Sequence, residues 1–394
     1  MENFFQPTSY SHYLIGHCVG NQPAALYYHG DIMSHAYSFA LISIFIYYTI
    51  KWHETPNIKY TLIAGALAGL ITLIRPTNIL VLVFFILWNV GSFKDLGNRM
   101  VFFLKYYKLI VVMMLAFLVV WVPQFIYWKF ISGSFMFNTY GYLGGTFFFD
   151  NPQITYSLFS WRKGWLVYTP IMIFTLAGIY FLRKRTPKVF APVLVFTLLN
   201  IYVLSSWWCW WFGGGFGLRS YIDSYGIMAL GFAAILDWVI NRKAIVKYSF
   251  ITIFVLLFFF NLFQTQQYFT GAIHYVAMTK EAYWNTFLKK YPKPDFYDLL
   301  VWPDYPSARH GKYYTENEIS IGEQKIRDGL KIESEQPENS KSIEEFEIML
   351  RNSPSLLELL HEKAVKKGIS IDSMIKIDAL WLYNQQMKEL EGKQ

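Results

Sequence analysis

Four cations stand where an anion could be met. Arg75 follows an apolar run in LIRPTNIL, Arg162 and Lys163 sit together in SWRKGW, and Arg219 closes a glycine run in WWCWWFGGGFGLRSYID. Each lies at the end of a long apolar segment, where a charge is expensive to strand without a purpose. Pro76 breaks the chain after Arg75. A helix restarting near Thr77 and Asn78 would set unpaired N–H groups beside the guanidinium, a setting suited to phosphate. The competing role for Arg75 is snorkelling to lipid headgroups. Arg162 and Lys163, flanked by tryptophans, suit a substrate phosphate or headgroups at large. Arg219 and Asp223 are four apart and share one face of a helix. They form either an ion pair closing a helix end or an anion-directed arginine oriented by its carboxylate.

Proton transfer needs a base. Asp31 lies between His29 and His35 in YYHGDIMSHAYSF, just before an apolar run. It suits a general base, a ligand of a divalent metal ion shared with the imidazoles, or a helix N-cap. Cys18 and Cys209 form no disulfide framework and no zinc spacing. The glycine run matches neither G-x-x-x-x-G-K-[ST] nor G-x-G-x-x-G, so no nucleotide cofactor is expected.

These residues need elements to hold them, and the composition points to a bilayer. Of 394 residues, 54% are hydrophobic, 20% aromatic and only 16% charged, against roughly 25% charged in soluble domains. Before position 265 there are 7 acidic and 18 basic residues. Their placement follows membrane topology rather than nucleic-acid binding, and no nucleic-acid partner is expected. Eight apolar segments, 33–51, 58–75, 77–92, 107–131, 166–182, 189–206, 221–240 and 247–264, approach the length needed to cross about 30 Å of hydrocarbon. The expected fold is all-α, a polytopic membrane protein with about eight transmembrane helices and a small non-cytoplasmic α-helical tail. One set of loops carries Lys51 and Lys59, then Lys94, Arg99, Lys105 and Lys108, then Arg183, Lys184, Arg185 and Lys188, then Arg242, Lys243 and Lys247. The positive-inside rule turns these to the cytoplasm. Arg75, Arg162, Lys163 and Arg219 then lie on the opposite side, with both chain ends.

The expected organisation is an extracytoplasmic segment over 1–32, a transmembrane domain over 33–264, a membrane-surface lobe over 265–332, a linker over 333–346 and a helical tail over 347–394. ESEQPENSKS has a linker's composition. In the tail, Ser353 caps a helix with Pro354 at its first position and Gly368 at its end. A second helix follows, with Ile371, Ile375, Ala379 and Leu382 on one face.

Four blocks in order, MSHAYSFAL, GLITLIRPTN, SWRKGWLVYTP and WWFGGGFGLRSYID, resemble bacterial membrane glycosyltransferases of the GT-C superfamily. That group is related to protein O-mannosyltransferases and the lipid A aminoarabinose transferase. The likeness covers about residues 24–310. It implies a multi-span enzyme of the bacterial inner membrane, transferring a sugar from a polyprenyl-phosphate donor to a glycan, lipid or protein acceptor outside the cytoplasm. Arg75 resembles the family's cation in a span-to-span turn, Arg219 the one after the glycine run, and Asp31 an acidic position used with a divalent metal in some members. The family carries its leading catalytic acid in a large outer loop after an initial span. The matching blocks begin almost at the N-terminus, so either the chain lacks those spans or MENFFQPTSYSHYLIGHCV is an aberrant start, and the chain is expected to be inactive alone. Two other readings stand beside this one: a transporter or flippase for a lipid-linked glycan, and a non-catalytic membrane scaffold.

Overall fold

The computed structural model describes residues 34–142, 145–313, 343–367 and 370–391. Among them the secondary structure is helical, and the only extended pairing is one isolated bridge between Phe147 and Trp207. The chain divides into two compact units, Met1–Ile319 and Ser320–Gln394.

In the first unit the principal helices are α1 (Ser34–Glu54), α2 (Ile58–Ile74), α3 (Leu82–Ile86), α4 (Phe93–Lys105), α5 (Tyr107–Ser132), α6 (Met172–Arg185), α7 (Pro187–Ser205), α8 (Tyr225–Ile240) and α9 (Ala244–Phe269). Among the described residues four helical stretches are long and apolar enough to cross a membrane: α5, α7, Arg219–Ile240 and α9. They cover the expected segments 107–131, 189–206, 221–240 and 247–264. The most apolar window of α5 has none of its residues buried in the chain, as befits a helix that is hydrophobic all round. The other four expected segments take different forms. α1 has 21 residues, with tyrosine, serine and histidine mixed into its apolar run, and α2 has 17. Segment 77–92 is a 3-10 helix, Pro76–Val81, continued by the five residues of α3. Segment 166–182 is split: Trp165–Tyr168 forms one turn, Pro170 follows, and α6 has 14 residues. Proline lacks an N–H and disfavours helix in the residue before it, which accounts for both interruptions.

Glycine sets the closest approaches. An added Cβ on Gly65 would strike the Met113 carbonyl, and one on Gly69 would lie 2.9 Å from the Phe117 carbonyl oxygen. That Gly-x-x-x-Gly stripe lets α2 and α5 pack backbone to backbone. Gly178 of α6 and Gly231 of α8 do the same: a Cβ on Gly178 would collide with the Gly231 carbonyl. Around these seams Ile42, Phe45 and Trp52 of α1, Ala64 and Ile71 of α2, Phe84 of α3, Val193 of α7 and Ile227 of α8 make the main core.

Residues 270–313 belong to the same unit. The polar end of α9 ties them down. Gln264 donates to the Tyr283 hydroxyl at 3.0 Å, and Gln267 donates to the Thr286 and Lys289 carbonyls at 2.7 and 2.8 Å.

The second unit holds α10 (Ile343–Arg351), α11 (Pro354–Lys367) and α12 (Ile371–Glu391). Phe346 and Leu350, Leu360 and Ala364, and Met374, Ile375 and Ala379 form its own core. Arg351–Asp372 and Lys363–Asp378 pairs, each at 2.7 Å, fasten its surface. α10 begins inside the segment expected as linker, because Phe346 and Leu350 supply an apolar face four residues apart.

Candidate functional site

The site begins with a helix that stops. Arg75 precedes Pro76 and is held extended, at φ −147° and ψ 112°, with its N–H capping α2 at the Ile71 carbonyl. The residue before a proline is pushed into this region. The 3-10 turn then brings Asn78 round, its N–H bonded to the Arg75 carbonyl at 2.9 Å. From the other side of the bundle comes a second 3-10 turn, Arg219–Ser224, which carries Asp223 at 3% exposure.

Asp223 is the hub. Its Oδ1 lies 2.7 Å from His35 Nδ1 near the start of α1. Its Oδ2 accepts from Asn78 Nδ2 at 2.9 Å and lies 3.5 Å from Arg75 Nη1. Arg75 Nη1 is 2.8 Å from His35 Nδ1 and 3.3 Å from Nε2. A guanidinium only donates and a carboxylate only accepts, so the two neighbours make opposite demands on Nδ1. Both are met when Nδ1–H donates to Asp223 and Arg75 donates to Nε2. The imidazole is then neutral and fixed by a carboxylate at one nitrogen, and the lone pair on the other accepts from Arg75, so it can take a proton only when Arg75 turns to another anion.

Arg219 points away from this hub along the glycine loop, donating to the Gly214 carbonyl at 2.7 Å and the Phe212 carbonyl at 3.2 Å. In a 3-10 turn the period is three residues, so positions 219 and 223 do not stack as they would on an α-helix. Arg219 still acts electrostatically on both His35 and Lys163. The loop that carries it needs its glycines: Gly213, Gly215 and Gly217 have φ of 68°, 139° and 53°, values that side-chain-bearing residues rarely adopt.

Arg162 and Lys163 are buried, at 5% and 2% exposure. Arg162 Nη1 donates to the Val276 and Val301 carbonyls at 3.0 and 2.9 Å. Lys163 Nζ donates to the Gly215 carbonyl. Burial, and then the charge of Arg219, push the Lys163 ammonium well below the usual lysine value. These two cations pin 270–313 and the glycine loop to the bundle. The tryptophans face protein as well: Trp210 and Trp211 are buried with Val276, Ala277 and Ala308. Beside them burial raises the Cys209 thiol to about 11.

No protein-family model, curated protein or solved structure matches the chain. The site therefore rests on its own geometry. Of the residues singled out by sequence, His35, Arg75 and Asp223 meet directly and Arg219 is in electrostatic reach of His35, while Lys163 and its neighbour Arg162 lie on the far side of Arg219, at the glycine loop and 270–313. Asp31 and His29 lie outside the described residues. Among the described residues no three His, Cys, Asp or Glu side chains are grouped to hold a metal ion. The sequence reading missed the Asn78 amide and the His35–Asp223 bond. Both residues sit on the outer side of the expected topology, and that shared side was the available signal.

Proposed function

We propose that the chain belongs to a membrane glycosyltransferase that moves a sugar from a polyprenyl-phosphate donor to an acceptor outside the cytoplasm of a bacterial inner membrane, in an eight-span arrangement. The observation that supports this reading is the convergence of His35, Arg75, Asn78 and Asp223 at one end of the bundle, with Arg219 in reach. In the reaction the acceptor oxygen bonds to the anomeric carbon as the bond from that carbon to the phosphate oxygen breaks. The acceptor proton passes to a base, and polyprenyl phosphate departs. Arg75 and Arg219 offset the charge that grows on the departing phosphate. Asp223 holds His35 ready to take a proton. Asp31 is the further candidate base.

Binding and cleavage are separable in the test. The full chain in membranes is given a labelled polyprenyl-phosphate sugar, and retained donor and released polyprenyl phosphate are both measured. Arg75→Ala and Arg219→Ala should each lower donor retention at least tenfold, and release by about 100-fold where the wild type releases. Donor retention unchanged in both variants sinks the assignment. Movement of intact donor across the bilayer without cleavage would favour a flippase.

A further inference from the structure

The far end of α1 carries a second site that glycosyl transfer does not use. A cavity of 560 Å³ is lined there by Tyr47, His53, Trp88, Arg99, Phe102 and Lys188, among others. Arg99 is 9% exposed. Its Nη1 donates to His53 Nδ1 at 2.9 Å, its Nη2 donates to the Trp88 carbonyl, and its Cζ lies 5.1 Å from the centre of the Phe102 ring. Its Nε is buried with no hydrogen-bond partner. His53 does not neutralise it. The Phe85 carbonyl 2.9 Å from Nε2 requires that nitrogen to carry the proton, and Arg99 requires a lone pair on Nδ1, so a neutral ring satisfies both.

The two acids that line the cavity, Asp95 and Glu54, do not pair with Arg99. Asp95 accepts from Ser92 Oγ at 2.8 Å and from the Gly91 N–H at 3.1 Å, and Glu54 lies 3.7 Å from Lys51. Among the described residues no carboxylate lies within ion-pair distance of Arg99. A buried cation without a counter-charge is unfavourable, and Lys188 adds a second positive charge at the wall.

We propose that this cavity binds a net-anionic phosphate group, with Arg99 and Lys188 as its cationic ligands and Tyr47, Trp88 and Phe102 as its walls. α4 indicates the nearest source. Leu96, Met100 and Leu104, each four residues apart, form an exposed apolar stripe, while Lys94, Asn98 and Lys105 are exposed beside it and Arg99 turns inward. A helix with one bare apolar stripe and a basic flank lies in the plane of a membrane surface. An anionic phospholipid headgroup is therefore at hand, and a soluble phosphate shares its chemistry.

The test uses the full chain in detergent with three probes: phosphatidylglycerol, phosphatidylcholine and inorganic pyrophosphate. Retained lipid is counted by native mass spectrometry and the unfolding temperature is followed with each probe. Phosphatidylglycerol should be retained over phosphatidylcholine and should raise the unfolding temperature. Lys188→Gln should weaken this about fivefold. Arg99→Lys, which keeps the charge and loses the planar fork, should weaken it by at least as much. Lys188 is exposed, so its variant remains decisive even where Arg99→Lys folds poorly. A response to pyrophosphate alone that depends on Lys188 supports the same pocket with a soluble source. Equal retention of the two lipids with no response to pyrophosphate overturns the proposal, as does a response unchanged in Lys188→Gln. None of these outcomes depends on sugar transfer.

Discussion

The two ends of α1 carry nearly the same pair of side chains and treat them differently. His35 and His53 stand 18 residues apart in one helix, about 27 Å along its axis, and each meets an arginine from a neighbouring element at under 3 Å. At the His53 end every ring nitrogen has one partner and the proton has one place. The arginine there is short of an anion. At the His35 end the arginine has its carboxylate, and the same carboxylate also holds the ring, accepting the Nδ1 proton while Arg75 donates to Nε2. The first arrangement is set to hold a charged group still. The second is set to move a proton. A histidine–arginine contact therefore says little by itself, and the carboxylate beside it decides what the pair can do.

Removing that carboxylate should have the largest effect. Asp223→Asn makes the His35 end resemble the His53 end and leaves Arg75 without a counter-charge. Breaking a buried pair in this way costs about 3–5 kcal/mol. The unfolding temperature should fall steeply, and an unchanged value would mean that the network does not hold the first 3-10 turn, α1 and the second 3-10 turn together. His53→Phe is the matching change at the other end. It keeps the ring and removes one acceptor from a charged donor and one donor from the Phe85 carbonyl, a loss of about 2 kcal/mol. A loss equal to that of Asp223→Asn would erase the distinction between the two ends. The smallest change supplies the missing anion. Asn98 is exposed and lines the cavity with Arg99, so Asn98→Asp should stabilise the chain by up to about 1 kcal/mol while lowering its retention of phosphatidylglycerol. Stronger retention in that variant would contradict the charge argument.

Much of the bundle was legible because apolar length is a coarse and robust signal. The runs 107–131 and 247–264 fall within α5 and α9, and 189–206 coincides with α7 to within two residues. Hydropathy does not register backbone interruptions, so 77–92 read as a span although Pro76 starts a 3-10 turn and Asn89, at φ 61°, ends the segment in a left-handed residue. The site was legible in its members and not in its pairings. Arg75, His35 and Asp223 were each singled out, but spacing on an α-helix joined Asp223 to Arg219, and the 3-10 geometry of 219–224 broke that link. Arg99 was counted only as a charge that orients the chain. Its burial depends on α4 turning one face inward, which no local pattern around it reveals.

The glycine seam between α2 and α5 has a thermal consequence. Its strength comes largely from close contact between backbones, with little more than the Ala116 and Val120 side chains against the glycines to drive water out, so cold and pressure, which weaken apolar burial elsewhere, have less there to act upon. A single added methyl group at Gly65 would wedge apart what cooling leaves closed, and α5, whose most apolar window is not buried in the chain, would be the first helix to drift from the bundle.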